Sequence, residues 1–143
     1  MSKTDVYVKV LDEGEMIKYA TPNSAGLDLK ATKTILIDAY HTVAIPTGIG
    51  IEIPEGYLGM VCSRSGLASR NVIVTNSPGI IDSDYRGEIR VLLTNLSSVP
   101  YQVKKGDRVA QLVIVQYLRV QPMQVDTLSD TARGDGGFGS TGR

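Results

Sequence analysis

Gly79-Ile80-Ile81-Asp82-Ser83-Asp84-Tyr85-Arg86-Gly87-Glu88-Ile89 is the stretch around which this 143-residue chain is organised. Two apolar residues run into an acidic turn. A Tyr, an Arg and a Gly follow, and a strand pattern resumes at Glu88. The spacing predicts a β-hairpin with two carboxylates, a phenol and a guanidinium at its tip. Gly79 and Gly87 bracket it, where glycine lets the backbone turn and lets a ligand come close.

Outward from this stretch the chain reads as short strands. Val6-Tyr7-Val8-Lys9-Val10 and Ile49-Gly50-Ile51-Glu52-Ile53 alternate with period two. Ile35-Leu36-Ile37, Val43-Ala44-Ile45, residues 57–62, Val72-Ile73-Val74, residues 88–96 and residues 108–117 add further strands, with Pro46-Thr47-Gly48 read as a turn. Residues 12–24 are turn-rich, and residues 63–70 could hold the only short helix. Turn signals recur about every ten residues with no helical stripe, which predicts an all-β sandwich or barrel. From Asp126 onward apolar residues become scarce. The division expected is a β-barrel over residues 1–125 and a flexible glycine-rich arm over residues 126–143. The 21 residues after Pro122 could span on the order of 60–70 Å when extended, enough to reach another subunit.

Formal net charge is zero, which argues against a nucleic-acid or membrane partner held by bulk electrostatics. A single cysteine, Cys62, forbids an intramolecular disulfide and suits a reducing compartment. No apolar run has the length of a signal core or a membrane span, so a cytoplasmic setting is expected. One His and one Cys cannot build a zinc site, so any metal should be a hard ion on oxygens, most simply Mg²⁺ carried by a polyphosphate.

Five constellations carry possible chemistry. Asp82 and Asp84 suit acid–base or metal work, against the plain alternative of an acidic turn. Ser63-Arg64-Ser65-Gly66 offers a guanidinium fork, hydroxyls and an approachable backbone for phosphate, against a capped helix start. Asp28 and Gln111 are polar residues in apolar strands, against the plainer alternative that each faces solvent. In the arm, free backbone N–H groups with Ser140 and Thr141 suit phosphate oxygens, and Phe138 suits stacking on a planar ligand.

Five stretches in one order resemble the trimeric dUTP pyrophosphatase (dUTPase) family. They are Ala25-Gly26-Leu27-Asp28-Leu29, Arg64-Ser65-Gly66, residues 79–87, Gly106-Asp107-Arg108-Val109-Ala110-Gln111, and Arg133-Gly134-Asp135-Gly136-Gly137-Phe138-Gly139-Ser140-Thr141-Gly142. The resemblance implies a jelly-roll-like β-barrel of the dUTPase β-clip type and a homotrimer with shared active sites. The implied reaction is dUTP to dUMP and pyrophosphate, which limits uracil in DNA and supplies dUMP for dTMP synthesis. By that likeness Asp82 is the general base for in-line attack of water on the α-phosphorus, with Ser65 and Arg133 the other catalytic residues. Tyr85 packs under the deoxyribose. Gly79, Ile80, Ile81 and Asp82, with Asn76 nearby, read uracil, and Arg90 lies beside the base, contributing mainly backbone. Arg64, Ser65, Gly66 and Gln111 hold phosphates, and Asp28 holds Mg²⁺ through water. Phe138 would stack on uracil, with Arg133, Gly139, Ser140 and Thr141 around the β- and γ-phosphates. Cys62-Ser63 stands where relatives often carry Ala-Pro, and residues 68–76 run about one residue short. A dCTP deaminase on a similar fold and a dUTP-gated protein-binding module are the rival readings.

Overall fold

The computed structural model describes residues 4–142. The first three residues of the expected barrel and Arg143 of the expected arm lie outside them. Among the described residues ten strands form three sheets, with one short helix at the surface. β1 (Tyr7–Val10), β4 (Thr42–Glu52), β8 (Glu88–Asn95) and β6 (Val72–Val74) form one sheet in the order β1-β4-β8-β6. β2 (Leu27–Lys30), β10 (Arg108–Gln116), β5 (Tyr57–Cys62) and β7 (Gly79–Ile81) form the second in the order β2-β10-β5-β7. β3 (Ile35–Ile37) and β9 (Tyr101–Val103) pair alone, and α1 (Ser65–Ala68) follows β5. Among the described residues no helix is long and apolar enough to cross a membrane.

The core between the sheets is aliphatic. Leu29, Ile37, Ile45, Ile49, Ile89, Val91, Leu93, Val109 and Leu112 are buried, and among the described residues no aromatic side chain is fully enclosed with them. β-branched residues fit a pleated surface packed on one face. β8 shows the pattern most plainly: Ile89, Val91, Leu93 and Asn95 point inward while Arg90 and Leu92 point out.

The structure corrects two expectations. Residues 79–89 are not a hydrogen-bonded hairpin. β7 pairs with β5 in one sheet, and β8 pairs with β4 and β6 in the other. The stretch is an arch that carries the chain from one sheet to its neighbour. Gly59 opens the seat for β7: a Cβ there would meet Ile53 and Leu112 at 3.0 Å and Ile81 at 3.2 Å. The second correction concerns Pro46-Thr47-Gly48, which lies within β4 as a bulge, not as a turn between two strands. Pro46 opposes Arg90 and Gly50 opposes Glu88, so three β4 residues face Ile89 alone. Gly48 has φ +67°, and its neighbour Gly14 lies so close that a Cβ on Gly14 would stand 2.3 Å from the Gly48 carbonyl oxygen.

One buried polar residue ties the loops at the far end of β8. Asn95 is fully enclosed. Its Nδ2 donates to the carbonyls of Ile37 (3.1 Å) and Val99 (2.8 Å), and its Oδ1 accepts from the backbone N–H and hydroxyl of Ser97. At the opposite end, Glu13 pairs with Lys105, and Glu15 with Lys30 at 2.9 Å. The hydrogen bond from each lysine, then its charge, holds the partner carboxyl below the ordinary range. These exposed pairs help only above the carboxyls' unfolded-state pKa and fade as pH falls through the folded one.

Replacing Asn95 by Leu leaves the buried Ile37 carbonyl and the half-buried Ser97 N–H without these partners. We expect a loss of about 2–4 kcal/mol in urea unfolding at fixed protein concentration. An unchanged unfolding midpoint would show that water replaces these bonds freely.

Candidate active site

The arch borders two cavities. On its outer side Asp82, Ser83, Asp84 and Arg86 face Glu52, Leu58 and Arg119. Its inner side forms the smaller one, a cavity of about 240 Å³ lined by Ile80, Ile81, Asp82, Tyr85, Glu88, Ile89 and Arg90. Tyr85 folds back over the turn: its backbone N–H donates to the Asp82 carbonyl (3.1 Å) and its hydroxyl donates to the Glu88 carbonyl (2.8 Å). Gly87 makes this possible, because a Cβ there would stand 2.5 Å from the Tyr85 hydroxyl. Arg86 closes the outer side, donating to the Ser83 carbonyl (2.6 Å) and lying 3.5 Å from Glu52. Asn76 stands against Gly79, where a Cβ would come 3.2 Å from its Nδ2. Asp82 is exposed, and among the described residues its carboxylate has no hydrogen-bond or ion-pair partner. A low-dielectric surround at this carboxylate is therefore not provided by its own chain.

A second cluster forms where β2, β10 and β5 run side by side. Asp28, Gln111 and Cys62 occupy one row across the three strands. Asp28 lies between two guanidiniums, Arg64 Nε at 3.8 Å and Arg108 Nη1 at 3.6 Å. Arg64 Nη1 also donates to the Arg108 carbonyl (3.0 Å). Gln111 does not face plain solvent: its Nε2 donates to the Ser63 carbonyl (3.1 Å) and its amide packs so closely on Gly26 that a Cβ there would lie 2.5 Å from Oε1. Ser65 and Gly66 are exposed at the start of α1. Ser63 anchors that helix: its hydroxyl accepts from Val74 N–H (2.9 Å), and its own N–H donates to the Ser77 hydroxyl (3.2 Å).

These clusters occupy opposite ends of one sheet. Cys62 faces Gln111 across one edge of β5, and Gly59 faces Ile81 across the other. At roughly 3.3 Å per residue, about 10 Å of strand separates the two rows before any lateral offset. The cavity at the arch includes no residue of the arginine cluster, and the cavity beside Arg64 includes none of the arch. The remaining candidates lie beyond the barrel. Residues 117–135 are exposed, and no hydrogen bond joins residues 118–142 to the barrel among the described residues. Arg133 Nε donates to the Gly136 carbonyl (2.8 Å), Gly139 has φ +89°, and Phe138 is fully exposed with φ +52°. Ser140 and Thr141 stay open to solvent.

The donor set bears on Mg²⁺. Among the described residues no group of three or more His, Cys, Asp or Glu side chains could hold an ion. Asp28 alone, already flanked by two cations, fits contact with a metal-bound water better than a direct protein cage, as suits a hard ion that keeps its waters.

Sequence reading missed Arg108, Glu88 and the Ser63–Ser77 link. Arg108 sits within a recognised motif, but nothing in its neighbours announces that it flanks Asp28. Glu88 reads simply as the first residue of a strand.

Fold and side-chain placement define a class: a jelly-roll-like β-barrel that displays a carboxylate arch and a separate arginine cluster, with a free glycine-rich extension. The dUTPase family model matches residues 12–142. A deoxyuridine 5'-triphosphate nucleotidohydrolase of Rickettsia bellii is 50% identical over 147 aligned positions, covering 99% of this chain and 98% of its own. One of Anaplasma marginale is 50% identical over 127 positions, covering 87% and 86%. Among solved structures, a point mutant of the Staphylococcus bacteriophage 80alpha dUTPase with dUpNHpp superposes with a TM-score of 0.91 at 27% identity, covering 99% of this chain and 100% of that one. The chain belongs to the dUTPase family.

Gly87→Ala forces the Tyr85 ring off its seat. We expect about 1–3 kcal/mol of destabilisation in urea unfolding, in the range of overpacking, and a shifted Tyr85 ring signal by NMR. An unshifted ring in a fully stable variant would show that the arch tolerates the methyl group.

Proposed function

We propose that this chain hydrolyses dUTP to dUMP and pyrophosphate as a homotrimer, each active site drawing on all three subunits. The observation that carries this reading is the division of the site. The arch and the arginine cluster are each well formed, yet they face different ends of one sheet, while the arm touches neither. A single chain offers a base-and-sugar pocket with no phosphate ligands in it.

In this reading the arch of one subunit binds the nucleoside. Gly79, Ile80 and Ile81 present strand-edge backbone to the uracil, with Asn76 behind Gly79 and Arg90 beside the base. The Tyr85 ring, pressed down over Gly87, lies against the deoxyribose and leaves no room for a 2′-hydroxyl. Asp82, at the rim, accepts a proton from a water aligned with the α-phosphorus. Its exposure in the lone chain is what such a role requires before a neighbour and the arm exclude bulk water. Arg64, Ser65, Gly66 and Gln111 of a second subunit bind the phosphates, with Ser65 near the α–β bridging oxygen. Residues 126–143 of a third subunit act as the closing arm. There Phe138 stacks on the base, and Arg133, Gly139, Ser140 and Thr141 surround the β- and γ-phosphates. Arginine on a mobile arm brings its charge only when substrate is present. Asp28 would hold Mg²⁺ through water, and the ion would supply neutralisation of phosphate charge. Charge neutralisation, in-line geometry and water exclusion are the main demands of phosphoryl transfer. A cytoplasmic setting, with Cys62 as a free thiol, fits action on a nucleotide pool.

Pyrophosphate and ammonia release measured across dUTP, dCTP and dTTP tests the reaction. Pyrophosphate from dUTP alone is expected; ammonia from dCTP would overturn the assignment. Asp82→Asn should bind dUTP while losing turnover by roughly 10²–10⁴-fold; near-normal turnover would remove Asp82 from the role of base. Deleting residues 133–143 should leave a folded trimer by gel filtration with poor turnover. Dissociation into monomers would mark the arm as structural instead.

A further inference from the structure

The β4 bulge and the arch meet at a single side chain. Three β4 residues oppose Ile89 alone, so β8 cannot satisfy the bulge with backbone groups only. Two side chains complete it. The Thr47 hydroxyl donates to the Ile89 carbonyl at 2.6 Å, and the buried Gly48 N–H donates to Glu88 Oε2 at 3.1 Å. The other oxygen of that carboxylate, Oε1, accepts from Arg90 Nε at 3.1 Å. The backbone carbonyl of the same residue accepts the Tyr85 hydroxyl. Glu88 thus contacts the bulge, the Arg90 wall and the Tyr85 wall of the arch cavity at once. Its side chain is 21% exposed, against 66% for Arg90, so the carboxylate is the fixed member of the pair and the guanidinium the guided one.

We infer that Glu88 is a positioning residue for nucleoside binding: anchored to the β4 bulge, it holds the Arg90 guanidinium as a wall of the base-and-sugar pocket. This goes beyond a backbone role for Arg90 and rests on the proposed dUTP hydrolysis. The physical case is one of pre-organisation. An arginine left to sample its rotamers would have to be ordered on each binding event, whereas a carboxylate fixed by a buried N–H orders it beforehand. No contact of Glu88 with substrate is needed, and none with the attacking water.

The variants separate this role from a structural one. In Glu88→Gln the amide oxygen still accepts from Gly48 N–H, but the NH₂ group turned toward Arg90 repels it. Glu88→Ala removes both contacts. The measurements are KM and kcat for dUTP, with melting temperature, on the full-length chain. For Glu88→Gln we expect an unchanged melting temperature, a KM raised roughly five- to tenfold and kcat within about threefold of wild type, as loss of uniform binding predicts. Arg90→Gln should give the same KM, and the double variant no more than either single one, since both remove one shared interaction. Glu88→Ala should add a lowered melting temperature. Wild-type KM in Glu88→Gln, or additive effects of the two single variants, overturns the inference while leaving dUTP hydrolysis standing. A wild-type chain that turns over no dUTP overturns both.

Discussion

Ile81 ends a strand of one sheet and Glu88 begins a strand of the other, and the six residues between them must bridge that gap. This constraint shapes the site. A hairpin would have closed its tip with ladder bonds and pointed its side chains to alternate faces. An arch instead turns its tip over a cavity, and its own groups satisfy it: Tyr85 N–H to the Asp82 carbonyl, Tyr85 hydroxyl to the Glu88 carbonyl, Arg86 to the Ser83 carbonyl. Gly87 is where the constraint is tightest, since any side chain there displaces the tyrosine.

The arch needs firm abutments. On one side Gly59 lets β7 settle against β5, with Ile81, Ile53 and Leu112 closing over the space a Cβ would fill. On the other, β8 is held through the bulge in β4, where Thr47 and Glu88 supply the bonds that the irregular ladder lacks. The arginine cluster is organised by opposite means. There a half-buried carboxylate, Asp28, sits between Arg64 and Arg108, keeping two guanidiniums near one another that would otherwise repel. An incoming phosphate would meet cations already gathered in place. Both clusters are thus built by the chain alone, and their cavities share no lining residue.

Much of this was legible in the sequence. Period-two runs with frequent turn residues indicate an all-β barrel, and the helix at residues 65–68 and the last strand stand where the pattern puts them. Motif residues around Asp28, Arg64, Gln111 and Asp82 can be named from the chain, though their partners cannot. The arch reads as a hairpin because local sequence reports a turn and two flanking strands, not which sheet each strand joins. Pro46-Thr47-Gly48 reads as a turn because proline and glycine usually punctuate; that they form a bulge depends on Gly14 packing on Gly48 and on a carboxylate forty positions away. Arg108 and Glu88 went unnoticed for the same reason, since their importance lies in long-range contacts.

The central claim is that each active site is assembled from different subunits. It is tested most directly by mixing two inactive variants, Asp82→Asn and Arg64→Ala, and allowing their subunits to exchange. Each mixed trimer then holds one site that pairs an intact arch from one subunit with an intact arginine cluster from another. Recovery of dUTP hydrolysis well above either parent is the predicted result. A mixture that demonstrably forms mixed trimers yet stays as inactive as its parents would contradict the account, and would place arch and arginine cluster in the service of one chain.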